Sequence, residues 1–186
     1  MALQTIDDTS LVEALCEVFR SNGYESATLA QLSEATGLKK SSLYHRFPAG
    51  KEDMAKVVIA HVNAQLLSHM IEPLSNSKKK PEKRFSDMIA VVMKFYDSGL
   101  KNCLLNVMNI GSENTEINTL LNKSYEAWRT ALIKLAKEAG MTPKTAEERS
   151  EHFLIVVEGA LVIQRLTHNA LTFQHSMDYA QKEFFR

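Results

Sequence analysis

Glycine and proline are scarce, seven and four in 186 residues, where average usage is roughly 12% for the two together. So few turn-formers leave little room for hairpins and favour long helices. Cysteine is nearly absent as well. Cys16 and Cys103 are too few for a disulfide-stapled domain and fit no CxxC or zinc-binding spacing, so a reducing cytoplasm is the expected setting. The longest apolar run, 153–157, resumes at 160–163 after Glu158 and Gly159, well short of the ~20 residues that a membrane span needs. The first ten residues, MALQTIDDTS, place acids and no cation before the apolar residues, which is unlike a secretory signal.

Net charge is missing too: 22 basic residues balance 22 acidic ones. A nucleic-acid binder ordinarily carries a surplus of Lys and Arg, so the balance at first argues against one. The local count differs. Residues 1–34 hold six acids and one base, net −5, whereas 35–51 hold no acid but Lys39, Lys40, Arg46 and Lys51, net +4. Hydrophobic residues make up 45% of the chain, enough for a buried core and too many for a disordered one.

The few glycines and prolines act as punctuation. Leu11, Ala14, Leu15, Val18 and Phe19 recur at i, i+3, i+4, i+7 and i+8, one stripe of an amphipathic helix over 10–22 that Gly23 stops. Thr28 and Gln31 have capping-box spacing, so a helix starts at Leu29 and runs to about Thr36, where Gly37 stops it. Residues 39–47 form a third short helix ending before Pro48. Two short helices joined by a Gly-containing turn make a helix-turn-helix. Longer helices are expected over 51–71, 85–97, 102–110 (ending at Gly111), 116–139, 145–168 and 174–185. The fold class is therefore all-α, with a helix-turn-helix domain over 1–57 and a helical domain over 58–186.

The local positive charge lies on the second helix of the helix-turn-helix. A helix 10–12 Å across fits a major groove ~12 Å wide. Ser41 and Ser42 are short enough to permit close approach, and Lys40 reaches a guanine edge or a phosphate. Tyr44 and His45 are placed for phosphate oxygens. Thr28 and Lys51 sit at helix starts, whose free N–H groups favour anions; Lys39 and Arg46 complete the candidate contacts. A +4 run is also what a solvated face looks like, and helix-turn-helix geometry occurs in proteins that bind no nucleic acid.

The pattern Phe19, Gly23-Tyr24, Thr28-Leu29, Leu32, Gly37-Leu38, Lys40, Leu43-Tyr44, Phe47-Pro48, Gly50-Lys51-Glu52 resembles the amino-terminal domain of the TetR (tetracycline repressor-like) transcriptional regulators. The extra residue in Phe47-Pro48-Ala49-Gly50-Lys51 resembles a multidrug-responsive subgroup. The resemblance implies a homodimeric repressor whose amino-terminal domains enter successive major grooves of an inverted repeat and whose other domain binds a small molecule. It also implies DNA contacts at Thr28, Lys40, Ser41, Ser42, Tyr44, His45 and Lys51. Three positions depart from the pattern: Lys39 replaces a usual Ser or Thr cap, Ser33 a common Ala, and Arg46 a frequent aromatic or His.

Beyond residue 57 there is no motif, only chemistry. Met88, Val92, Phe95, Cys103, Val107, Tyr125 and Trp128 offer soft or aromatic walls for an apolar effector, with Gln164 to orient it. Each is also an ordinary core residue type. Phe153, Val157, Ala160 and Leu161, with Phe173, Met177, Ala180 and Phe184, follow helical periods and are expected to pair two subunits as a four-helix bundle, the alternative being burial within one subunit. A second reading makes Cys103, beside Lys101, a redox or electrophile sensor. No nucleophile elbow, phosphate loop or HExxH appears, so neither catalysis nor a cofactor is expected. Glu148 and His152 make at most half a metal site.

Overall fold

The computed structural model describes residues 6–109 and 115–186, and among these every regular element is helical. The α-helices are α1 (Asp8–Ser26), α2 (Leu29–Thr36), α3 (Lys40–Arg46), α4 (Lys51–Leu66), α5 (Pro81–Phe95), α6 (Leu104–Asn109), α7 (Thr115–Glu138), α8 (Pro143–Thr167) and α9 (Thr172–Glu183). The turn expected at Gly111, and the end of the helix expected over 102–110, lie outside the described residues.

Caps explain where three of the α-helices begin. Asp7 accepts the Ser10 N–H at 2.9 Å and its hydroxyl at 2.6 Å, and these bonds hold its carboxyl below the usual carboxylate range. α1 therefore starts two residues earlier than apolar periodicity indicates. Thr142 caps α8 by accepting the Thr145 N–H, with Pro143 in the first turn. Pro81 opens α5 in the same way, since a proline at the first helical position gives up no intrahelical bond.

Residues 51–71 do not form one α-helix. α4 ends at Leu66, and a π-helical turn (Leu67–Ile71) and a 3-10 turn (Glu72–Ser75) follow. Pro73 has no N–H to donate to the His69 carbonyl, and its ring crowds that carbonyl, so the helix loosens before reaching it. Ser68 adds to this by donating to the Ala64 carbonyl at 2.9 Å, a bond that bends helices.

The chain forms two compact units, one of residues 1–63 with 104–122 and the other of 64–103 with 123–186. The first thus extends past residue 57 and takes in α6 and the start of α7. Its core is Leu11, Leu15, Phe19, Leu32, Leu43, Met54 and Val58. Gly23 interrupts α1 at φ 76°, and a Cβ placed there would lie 2.8 Å from the Val107 carbonyl oxygen. Only a residue without a side chain lets α6 lie so close to α1. Lys56 on α4 bonds Glu52 and, at 2.9 Å, Glu116 on α7. Both carboxylates raise its pKa above the ordinary lysine value.

In the second unit the rings of Phe85 and Phe184 stack at 4.1 Å, with Phe153 edge-on to both. Trp128 packs on Phe153 and donates to the Met88 sulfur. The eight residues expected at a subunit interface, Phe153, Val157, Ala160, Leu161, Phe173, Met177, Ala180 and Phe184, are instead at most 8% exposed inside their own subunit. α8 carries two apolar stripes on opposite faces, and the more aromatic one turns inward because it completes the Phe85 cluster. The outward stripe is Ile155, Ile163 and Leu166, with Gly159 among them and open space beyond it.

Arg84 is a buried cation in this unit, 4% exposed. It donates to the Leu74 carbonyl and, at 2.6 Å, to Glu138 of α7. Removing a buried member of an ion pair leaves its partners uncompensated. Glu138 is partly solvated, so the expected loss for Arg84→Ala is about 2–3 kcal/mol of unfolding free energy, measurable by urea denaturation.

Candidate nucleic-acid interface

α2 begins with the expected capping box. The Thr28 hydroxyl accepts the Gln31 N–H at 3.3 Å, while the Gln31 side chain accepts the Thr28 N–H at 2.9 Å. At its other end Gly37 adopts φ 68° and donates to the Glu34 carbonyl. Thr36 supports the turn, its hydroxyl donating to Leu32 O and accepting the Leu38 N–H. Ser33, a departure from the resembled pattern, donates to the Leu38 carbonyl at 2.6 Å. Its hydroxyl fixes the entry to α3 in a way that alanine could not.

α3 is held from beneath. Leu43 is fully buried and Phe47 nearly so, which turns Lys39, Lys40, Ser41, Tyr44 and His45 outward; Ser42 is half-buried. Lys39 stands at the N-cap without a side-chain cap bond. Tyr44 is 52% exposed. Its ring lies against Gly50, where an added Cβ would be 3.2 Å away. At φ 66°, Gly50 both makes the turn into α4 and leaves space for the tyrosine. Asp53 then accepts the Ala49 N–H at 2.7 Å.

Three expected phosphate contacts already have partners within the chain. Arg46 pairs with Asp8 at 3.1 Å. Lys51 donates to the Glu25 carbonyl and lies 4.7 Å above the Tyr24 ring. Both the hydroxyl and the N–H of Thr28 serve the cap. The Arg46 and Lys51 contacts join α3 and α4 to α1, and charge spacing alone gave no sign of them.

Residues 11–58 match the family model described as bacterial regulatory proteins of the tetR family. Those residues therefore form a TetR-family amino-terminal domain. It is 22% identical over 157 residues to the uncharacterized HTH-type transcriptional regulator YxaF of Bacillus subtilis, covering 82% of each chain. The fold matches that of a TetR transcriptional regulator from Legionella pneumophila at TM-score 0.84 and 17% identity, over 96% of this chain and 98% of that one. It also matches a cysteine mutant of the TetR family regulator CifR complexed with double-strand operator DNA, at TM-score 0.78 and 20% identity over 97% and 98%. The chain is thus a DNA-binding transcriptional regulator with the fold of TetR-family proteins. No helix among its described residues is long and apolar enough to cross a membrane.

Most of the residues expected to meet an effector are packed or bonded within the chain. Met88 and Trp128 bond to each other in the core, and Val92 and Cys103 are buried. Phe95 and Tyr125 are half-buried; burial, then the Glu151 carboxylate, raises the Tyr125 pKa above its ordinary value. Val107 belongs to the first unit. Gln164 is occupied, its Nε2 donating to the Ser98 carbonyl at 2.9 Å and its Oε1 accepting the Phe173 N–H at 2.8 Å. Cys103 accepts the Tyr96 hydroxyl at 3.5 Å. Among the described residues no three His, Cys, Asp or Glu side chains form a metal-ligand set.

Because Tyr44 is half exposed on the outward face of α3, Tyr44→Ala should weaken operator binding about tenfold, roughly 1.4 kcal/mol, with little change in melting temperature. With Arg46 and Lys51 engaged within the chain, Lys39 and Lys40 are the outward bases, so affinity should fall with salt with a log–log slope on the order of −2 per chain. A flat salt dependence in fluorescence anisotropy would remove α3 as the phosphate-facing element.

Proposed function

We propose that the chain is a cytoplasmic repressor that holds an inverted-repeat operator as a homodimer and releases it when a small apolar or aromatic effector binds the second unit. The observation that carries this reading is the outward, acid-free face of α3 together with the continuity of α4. That helix starts just after α3 and runs from the first unit into residues of the second. An effector acting on the second unit changes operator occupancy only by the difference in its affinity for the two states. Phe95 and Tyr125, half-buried on α5 and α7, are the favoured wall residues. No catalytic step is assigned to the chain.

Exposed apolar surface on α8 and α9 supports the dimer. Ile155, Gly159, Ile163 and Leu166 fall on one stripe, and Tyr179 is 63% exposed on α9. A lone glycine in such a stripe permits a partner helix to approach closely. Ile155→Asp should yield monomers in sedimentation velocity and weaken operator binding, while the buried Phe153 cluster keeps each subunit folded. A dimer undiminished by Ile155→Asp and by Leu166→Asp would place the interface elsewhere.

Thiol sensing at Cys103 is the second reading, supported by the Tyr96 hydroxyl held against its sulfur. If it operates, Cys103→Ser abolishes operator release by hydrogen peroxide. Release that persists in the variant removes it.

A further inference from the structure

The end of α8, the turn 97–99 and the approach to α9 enclose a cleft of about 300 Å³ in the second unit. Gly99 and Gln164, both buried, form its inner side, and Leu100 and Ala170 its apolar wall. Asn102, Arg165 and His168 supply its polar groups, and none of its lining residues is acidic.

The inner side is rigid. The Gln164 amide bonds both Ser98 and Phe173, and a Cβ at Gly99 would lie 2.6 Å from Gln164 Nε2 and from Phe173 Cβ. The backbone around the cleft is strained: Asp97, Ser98 and His168 take φ of 49°, 54° and 53°. Each is in the left-handed region that non-glycine residues enter at a cost, and such residues cluster at binding sites. His168 closes α8 in the conformation that glycine usually provides at a helix end, so an imidazole stands where a bare Cα would be easier to fold. Arg165 donates to Asn102 Oδ1 at 2.9 Å. That bond uses one of its five N–H donors and orients the guanidinium. Arg165 lies roughly 100° around α8 from Leu166, off the outward apolar stripe.

We propose that this cleft is a binding site for a small organic carboxylate, its charged group taken by Arg165 and His168 and its apolar part laid on Leu100 and Ala170. Planar guanidinium groups favour carboxylates through paired, charge-assisted hydrogen bonds. A volume near 300 Å³ suits a molecule at the small end of the ligand range. Binding here stands apart from operator release.

Benzoate and its neutral counterpart benzamide, titrated into the full-length isotope-labelled protein, test the site by amide chemical shifts. Benzoate should move the Gly99, Leu100 and His168 amides saturably, and benzamide should not. Arg165→Met, at an exposed position, should weaken benzoate about tenfold or more. His168→Gly should melt no lower than the parent, because it relieves the left-handed strain, yet bind benzoate more weakly. Equal shifts with benzamide, no saturable shift at these amides with benzoate, or unchanged benzoate affinity in Arg165→Met would each overturn the proposal.

Discussion

A helix of seven residues does not hold its shape in water unaided, because nucleation costs more than two turns of hydrogen bonds return. α3 is such a helix, and the face it presents exists only because its surroundings hold it. Leu43 and Phe47 bury its underside, and the Gly37 turn, tied by Ser33 and Thr36, fixes its start. Gly50 and Asp53 set its exit into α4. Charge is then distributed around this frame: the acids of α1 take up Arg46 on one flank, while Lys40, Ser41, Tyr44 and His45 remain outward. Chain-wide neutrality therefore coexists with a local cationic surface.

The second unit is held by aromatic packing instead of turn chemistry. Phe85, Phe153 and Phe184 share one cluster drawn from α5, α8 and the end of α9. Arg84 and Gln164 are its buried polar ties, one between α5 and α7 and the other between α8, the 97–99 turn and α9. Both satisfy backbone carbonyls that have no helical partner, a requirement wherever a turn is buried. Gln164 shows how one residue type serves two readings. A buried amide in an apolar helix can orient a ligand or close a turn, and here two nearby backbone groups claim it.

The first 58 residues were almost wholly legible as sequence because their structure is set by local rules. The Thr28–Gln31 capping box, the left-handed Gly37 and the break in α1 at Gly23 each act within a few residues, although α1 resumes to Ser26 instead of stopping there. What escaped there was long-range: the Asp8–Arg46 pair, Lys51 over Tyr24, and α6 resting on Gly23. No local periodicity encodes contacts between residues tens of positions apart. Helix starts at Asp8 and Pro81 were also missed, since they come from cap chemistry and not from the apolar stripe.

By itself the sequence determined the all-helical class, the helix-turn-helix and the concentration of bases on α3, because propensity, capping and charge order are properties of neighbours along the chain. Only the tertiary structure decided which of two apolar stripes on α8 faces inward. Phe153, Val157, Ala160 and Leu161 are as apolar as an interface requires, and so are Ile155, Ile163 and Leu166. Periodicity places each set on a face but does not say what lies opposite. The choice fell to the stripe whose phenylalanine fits the Phe85 cluster, since burying an aromatic ring against matched rings removes more apolar surface from water than the outward stripe could within one subunit.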